Sequence, residues 1–553
     1  MTEGLKRILV SVGVVGVLAG PAPGAGAGTI QVTCPPDDLQ AKIDAANPGD
    51  VLEITGKCDG TFTVDKDLTL RGAPSATLDG GGAGTTLLVS GAPTPNVLLE
   101  GLTVTGGIGG LGEGGGIHNE GMLSVASSTV SGNEGSFGGG IYSEGPLTLM
   151  SSTVSGNQAG FGGGILSFDS GATLIDSTVG GNTATSGGGI YNESSNPSFP
   201  QLSPLSLMGS AVTGNMANDF GGGIRNADGE VSLDDSTVDG NNALSGGGIN
   251  NDSGTLTITR TTVSGNKASN RGGIENGPGS ELTLTNSTVS GNQSDGEAGG
   301  ILNLGQATIT SSTVTNNTAD ADGDGNGDGG GIYNSGSTTI TNTILAGNHD
   351  PTSDPDCYGP LDSEAYNIVG ILSPGCGFSP VAADQTGTPA SPLDPLLGPL
   401  ANNGGPTMTH ALAKGSPALD AANPATSPAT DQRGVPRNPD IGAYEQVLCK
   451  KVPVNRLGTE GNDILVGTPG SDGVLAFGGK DVVRTAGGKD AVCAGAGKDV
   501  VKGGGGKDLL FGQGGRDKLF GQGGNDTLNG GPGKDTCKPG GGKKNKLLKC
   551  EKP

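Results

Sequence analysis

The chain has 553 residues, of which 110 are glycine, none is tryptophan and 3% are aromatic. Large apolar side chains this scarce exclude an ordinary globular α/β enzyme core, and glycine this abundant without a collagen triplet leaves a stack of short repeated turns. The net charge of −24 is divided, with 18 Lys+Arg against 11 Asp+Glu in residues 450–553 and 13 against 44 in the remainder. Two modules are therefore expected, and the large acidic one is excluded from nucleic-acid binding.

In chain order, Lys6 and Arg7 precede an apolar run from Ile8 to Ala19, and Ala25-Gly26-Ala27 follows. This is the layout of a secretory signal peptide over residues 1–27. About twelve apolar residues cannot span a bilayer core that needs roughly twenty. No longer apolar run occurs, so the mature chain is expected to be secreted and without a transmembrane segment. Residues 28–105 read as an N-terminal cap and first coils. Leu39, Ile43 and Ala46 share a helical face there, and a short helix would cover the open end of a stack.

From 106 to 349 a unit recurs, mostly 24–26 residues apart: G-G-G-I, a short gap, an alternating apolar segment, then S-T-V-S-G-N. Its leading Ile stands at 117, 141, 165, 190, 224, 249, 274, 301 and 332, and its last Val runs from Val130 to Val314, with Leu345 closing the row. Two more apolar positions precede each Val, as in Leu123/Val125 and Leu256/Ile258. Period-two alternation in runs this short means strand. Three such strands per unit cannot bury their apolar face alone, so coil is expected to stack on coil. The fold class is all-β, a right-handed parallel β-helix of about 10 coils of ~25 residues, with strands ~4.8 Å apart along the stack. The Asn of S-G-N, in register from Asn133 to Asn348, reads as a structural ladder, because Asn tolerates a left-handed corner and its amide bonds the Asn above and below.

Inside the last coils, Asp320, Asp322, Asp324 and Asp328 begin with the spacing of an EF-hand loop, but Gly331 stands where a bidentate Glu belongs. A second metal loop and a solvated acidic insertion both remain open. Residues 350–446 read as a C-terminal cap, with D-P-L-L-G-P-L-A-N-N-G-G-P-T-M-T-H-A-L followed by D-Q-R-G-V-P-R-N-P-D-I-G-A-Y-E from Asp431 to Glu445. With these motifs, residues 30–445 resemble exported bacterial β-helix proteins of the choice-of-anchor Q type. The resemblance implies shared architecture and export, and assigns no chemical activity.

After a linker at 447–457, aspartate recurs every nine residues: Asp463, Asp472, Asp481, Asp490, Asp499, Asp508, Asp517, Asp526 and Asp535. A glycine stands two before each and an apolar residue two after, from Leu465 to Leu528 and then Cys537. Residues 458–540 thus resemble the RTX (hemolysin-type) nonapeptide, which implies a parallel β-roll that binds Ca2+. Calcium takes about six to eight oxygens. Backbone carbonyls, among them those of Gly503, Gly512, Gly521 and Gly530, and one carboxylate per turn supply that chemistry. The resemblance sets each ion between turn n and turn n+2, giving at most about seven sites. Ala476, Thr485 and Ala494 replace the opening glycine, so the earlier sites are expected to be weaker or missing. Lys480, Lys489, Lys498, Lys507, Arg516 and Lys534 directly precede aspartates, which lowers calcium affinity and also relieves carboxylate repulsion. The basic tail, 541–553, is either a contact for an anionic envelope or a solvated end.

Eight cysteines fit an oxidising compartment. Proximity in sequence pairs Cys34 with Cys58, Cys357 with Cys376 and Cys537 with Cys550, and leaves Cys449 and Cys493, but eight cysteines allow about 105 connectivities. Parallel β-helices include polysaccharide-cleaving enzymes, whose chemistry needs clustered carboxylates, or a base beside calcium, on one face. The coils here are uniform in Ser, Thr, Gly and Asn, and His118, His349 and His410 stand in different contexts. Arg225 and Asp219, beside an insertion at 193–204, are the strongest catalytic candidates and still weak ones. The favoured reading is a secreted or cell-surface calcium-binding protein whose rod is adhesive or structural and contacts glycans or envelope polymers. The alternative is an extracellular polysaccharide lyase or hydrolase.

Overall fold

The recurrent apolar positions stack as the repeat demands. In the computed structural model, which describes residues 27–195, 204–351 and 353–551, Ile117 pairs with Ile141, Leu123 with Leu147 and Val130 with Val154. The Ile row from Ile117 to Ile332 is wholly shielded from solvent. The expected signal peptide lies, apart from Ala27, outside the described residues. Parallel pairings join one strand per coil without a break from Thr29–Cys34 to Cys357–Ser363. The chain is therefore a right-handed parallel β-helix whose coils begin before the regular repeats. Each fully buried Val, Leu or Ile is worth about 1.5–3 kcal/mol, so rows of identical aliphatic side chains build a core without aromatic bulk.

Most of the regular coils carry four strands rather than three. Glu134–Phe137, Gln158–Phe161, Thr183–Ser186 and later segments form a seven-stranded sheet between S-G-N and the next G-G-G, where the repeat announces no strand. Only small side chains, such as Ala184, Ala217 or Ala243, are buried there, and none in the first two strands, so no apolar alternation announces it. The neighbouring coil supplies the pairing. Corners fall to residues that tolerate left-handed backbone: Gly156 has φ +64°, and Asn316 takes the equivalent corner at φ +57°. Gly140 answers a different need, since a Cβ there would lie 2.6 Å from Gly164 O of the next coil.

Asparagine ladders run through the stack. Asn133 Nδ2 donates to Asn157 Oδ1, Asn157 to Asn182, and so on to Asn348, which donates to Asp356 Oδ1 at 3.0 Å. A second ladder, from Asn192 through Asn226, Asn251, Asn276 and Asn303 to Asn334, was not evident from the repeat. At the start, helix α1 (Leu39–Ala45) is N-capped by Asp38 and buries Leu39 and Ile43 in the common core. Residues 397–446 fold back along the flank of the last coils. Thr262 Oγ1 donates to Met408 O and Thr288 Oγ1 to Gln432 Oε1, both at 2.6 Å. The motif from Asp431 to Glu445 is the clasp of this flap: Arg433 lies between Asp431, at 2.9 Å, and the Tyr444 ring, at 3.8 Å.

In the C-terminal module successive turns alternate between two sheets, so partners stand eighteen residues apart: Val474 with Val492, Val483 with Val501. The inward residues, Val474 to Cys537, make one thin core. Residues 447–457 are not a loose linker. Leu448–Cys449 and Val452–Pro453 form a hairpin, Arg456–Leu457 pairs with Val474–Leu475, and Cys449 is bonded to Cys493. Nor is the tail free, because Lys546–Leu548 adds a strand to Thr527–Asn529 and Cys550 is bonded to Cys537. Neither stretch has an apolar pattern; a waiting sheet edge and a disulfide order each of them. Cys34–Cys58 and Cys357–Cys376 complete the four disulfides.

Candidate calcium centre

The repeat aspartates from Asp472 to Asp535 turn inward and are at most 1% exposed. One oxygen of each later carboxylate is bonded to the backbone two turns earlier. Asp481 Oδ1 accepts from Asp463 N–H at 2.8 Å, Asp508 Oδ1 from Asp490 at 3.1 Å and Asp535 Oδ1 from Asp517 at 2.9 Å. Asn545 takes this place after the last aspartate, accepting from Asp526 N–H at 2.7 Å. Its spacing of nineteen residues hid it from the nine-residue period.

The second oxygen behaves differently along the module. At Asp463 and Asp472 it accepts from the backbone N–H of Thr459 and Thr468, at 2.6 and 2.7 Å. From Asp481 to Asp535 every repeat aspartate has a buried Oδ2 with no hydrogen bond, and at Asp508, Asp517, Asp526 and Asp535 it faces the gap left by the opening glycine of its own turn. A Cβ on Gly503 would sit 2.6 Å from Asp508 Oδ2 and 3.2 Å from Gly521 O. One on Gly512 would meet Asp517 Oδ2 and lie 2.7 Å from Gly530 O; one on Gly521 would meet Asp526 Oδ2 and lie 2.6 Å from Pro539 O. At Gly530 the neighbours are Asp535 Oδ2 and Lys549 O.

Each gap is thus bounded by a carboxylate oxygen and a carbonyl oxygen, which repel unless a cation stands between them. An all-oxygen set suits a hard cation. These four cradles fit calcium. The carbonyls of Gly521 and Gly530 face the gaps at Gly503 and Gly512. Those of Pro539 and Lys549, beyond the last recognisable repeat, were not expected to face one. The Gly503 carbonyl is instead taken by Thr485, whose hydroxyl donates to it at 2.7 Å. Ala476 and Ala494 stand at the equivalent positions and are fully buried, so in these middle turns a side chain occupies the space that glycine leaves open, while Asp481, Asp490 and Asp499 Oδ2 stay without a hydrogen bond.

Burial pushes the carboxyls upward. Asp508 rises to about 7 and Asp499 to about 6; desolvation leads, neighbouring aspartates add to it and the backbone N–H bonds partly offset it. Asp481, Asp490, Asp517 and Asp526 shift the same way, again chiefly by desolvation. A bound calcium would supply the charge that these carboxylates lack.

Residues 457–492, 494–519 and 502–537 match the profile of the RTX calcium-binding nonapeptide repeat. The C-terminal module is built of RTX repeats. The RTX match covers the turns with open cradles and those with filled ones alike, so it is the side chains at the opening position that separate them. Among solved structures, the chain is similar to the pectate lyase Pel9A, at 13% identity and a TM-score of 0.32, over 76% of this chain and 98% of that one. It is also similar to the PL6 family alginate lyase AlyGC, at 11% identity and a TM-score of 0.39, over 92% and 71%. No curated protein sequence matches the chain.

Outside the RTX module, the structure brings Asp320, Asp322 and Asp324 together, their carboxylates within 4.8 Å of one another. Asp328 does not join this group; Asp350, Asp354 and Glu297 are the acids that raise its pKa, after desolvation. A second cluster that the sequence reading missed, His118, Glu120 and Glu144, spans two adjacent coils, with His118 Nε2 3.0 Å from Glu144 Oε2. Only the coil spacing joins these residues. Arg225 lies over the rings of Tyr191 and Phe220 and donates to Ser186 Oγ at 2.9 Å. Asp219 shares no hydrogen bond with it. His410 is spent on Ser290 Oγ and Gly398 O, at 2.8 and 2.7 Å.

Proposed function

We propose that this is an exported repeat protein of the choice-of-anchor Q type, with an adhesive or structural rod and an RTX module that calcium sets in its final form outside the cell. The observation that carries it is the row of four glycine cradles at Asp508, Asp517, Asp526 and Asp535, each with an unpartnered, buried carboxylate oxygen. Such oxygens destabilise a metal-free fold, and binding a cation turns that cost into folding energy. Four disulfides agree with an oxidising compartment. Among the described residues no helix is long and apolar enough to cross a membrane.

The rod supports contact rather than chemistry, because its recurring polar side chains are engaged in ladders along the stack. Long, flat polar faces suit repeated weak contact with glycans. One observation favours the second reading, a polysaccharide lyase or hydrolase: Arg225 on its aromatic bed of Tyr191 and Phe220.

The deciding experiment is a calcium titration of the full chain, with circular dichroism and bound metal followed together. Four ions per chain and a gain in β-structure are expected. No binding at millimolar calcium overturns the reading. Incubation with polyuronates and neutral glycans, scored for new chain ends, separates the rod from a cleaving enzyme.

A further inference from the structure

The cations of the RTX module are not spread evenly. Strands Ile464–Val466, Val482–Arg484, Val500–Lys502, Lys518–Phe520 and Thr536–Lys538 form one sheet. The middle residue of each points into the core, so its two neighbours point outward. The outward columns and the corner before them hold Lys480, Lys498, Arg516 and Lys534, then Lys518, then Arg484, Lys502 and Lys538. Of these eight only Lys502 is even half-buried. Between residues 462 and 538 the only carboxylates are the repeat aspartates, and those from Asp472 onward are buried. Among the described residues none of the eight cations forms a salt bridge.

The opposite sheet is used otherwise. Its middle is covered by the 447–457 hairpin, through Cys449–Cys493 and Lys450 over the Phe511 ring at 4.7 Å. Among the described residues no segment covers the basic sheet in this way. That sheet carries a groove of about 310 Å³ lined by Lys498, Arg516, Lys518 and Lys534, with the buried Asp499 and Asp517 at its floor, and Phe520 lies within the same field, 6.0 Å from Lys538 Nζ.

We propose that this face binds a linear anionic polysaccharide laid along the roll axis. Cations repeat at every coil, ~4.8 Å apart, close to the length of one sugar ring in an extended chain. A polymer with one carboxylate per ring therefore meets one cation per coil along the corner column of Lys480, Lys498, Arg516 and Lys534, with Lys518, Arg484, Lys502 and Lys538 beside it. Duplex nucleic acid carries its charge far more densely, about one per 1.7 Å, and would leave most of it unmatched. Calcium in the cradles beneath offsets the buried aspartates and strengthens the positive field above them. The site is independent of any ligand of the rod.

The test uses the full chain in calcium and a decagalacturonate probe, with a neutral galactan decamer, single-stranded DNA and polyphosphate as comparators. Salt-sensitive binding of decagalacturonate alone is expected. Lys498→Glu, Arg516→Glu and Lys534→Glu together should weaken it by about tenfold or more. Lys489→Gln with Lys507→Gln, on the other sheet, should leave it unchanged. If the charge reversals lose bound calcium or β-structure, Gln at the same three positions takes their place. Absence of decagalacturonate binding, equal loss in the opposite-sheet variant, or preference for DNA or polyphosphate overturns the proposal.

Discussion

Two local features separate the RTX turns here: whether Oδ2 already has a backbone donor, as at Asp463 and Asp472, and whether the opening position leaves room for a cation. Thr485 closes its own cradle with a hydroxyl, whereas Gly512 leaves Asp517 Oδ2 and Gly530 O facing each other. Thr485→Gly is therefore expected to add one bound calcium per chain, and Gly512→Ala to remove one, both read by metal analysis of the desalted protein. The loss of one site should also lower calcium-dependent stability by about 2.7 kcal/mol when calcium is a hundredfold above its Kd. Protons compete for the same oxygens. In metal-free protein the folded state holds protons that the unfolded chain releases. The module's stability should thus fall as pH rises from the ordinary aspartate value of 3.8 to about 7, where Asp508 ionises. Calcium affinity should climb over the same window. Unfolding in chelator, repeated across pH, checks the first trend, and calcium titrations check the second. The nine-residue period named every aspartate of this site. It was silent on Pro539, Lys549 and Asn545, because these lie where the spacing breaks.

At the scale of the element, ladders matter more than individual contacts. Asn241 donates to Asn266 Oδ1 and Val212 O, and accepts from both the backbone and the side chain of Asn215. Asn241→Ala leaves several buried groups unpaired and should cost about 3 kcal/mol or more, measured as a loss in the rod's unfolding transition. The core rows were legible because Ile and Val recur in one phase. The fourth strand was not, since Glu134–Phe137 and its counterparts have almost no inward apolar side chain. The second Asn ladder escaped notice because its members follow the leading Ile at a position where other coils have Ser. Which of those side chains reach one another depends on coil register, which local pattern does not carry.

The whole molecule joins a rod held by apolar stacking to a roll held by burial plus charge, so the two halves should unfold separately. Chelation is expected to lower the roll's calorimetric transition and leave that of the rod in place. Opening Cys449–Cys493 by paired Ser substitutions removes a 44-residue closure. It should destabilise the roll by up to about 4 kcal/mol and free it from the hairpin, seen as a lower transition and a wider spread of shapes by small-angle scattering. The sequence by itself determined the stacking, the two modules and the chemistry of the repeat aspartates, because periodic side chains on a parallel coil leave one way to bury the apolar rows. Only the tertiary structure decided which carbonyls face each cradle, that the flap lies along the flank, and that eight cations share one face. Each of these depends on residues eighteen to more than a hundred positions apart, brought together by the closing of the coils and not by any local preference.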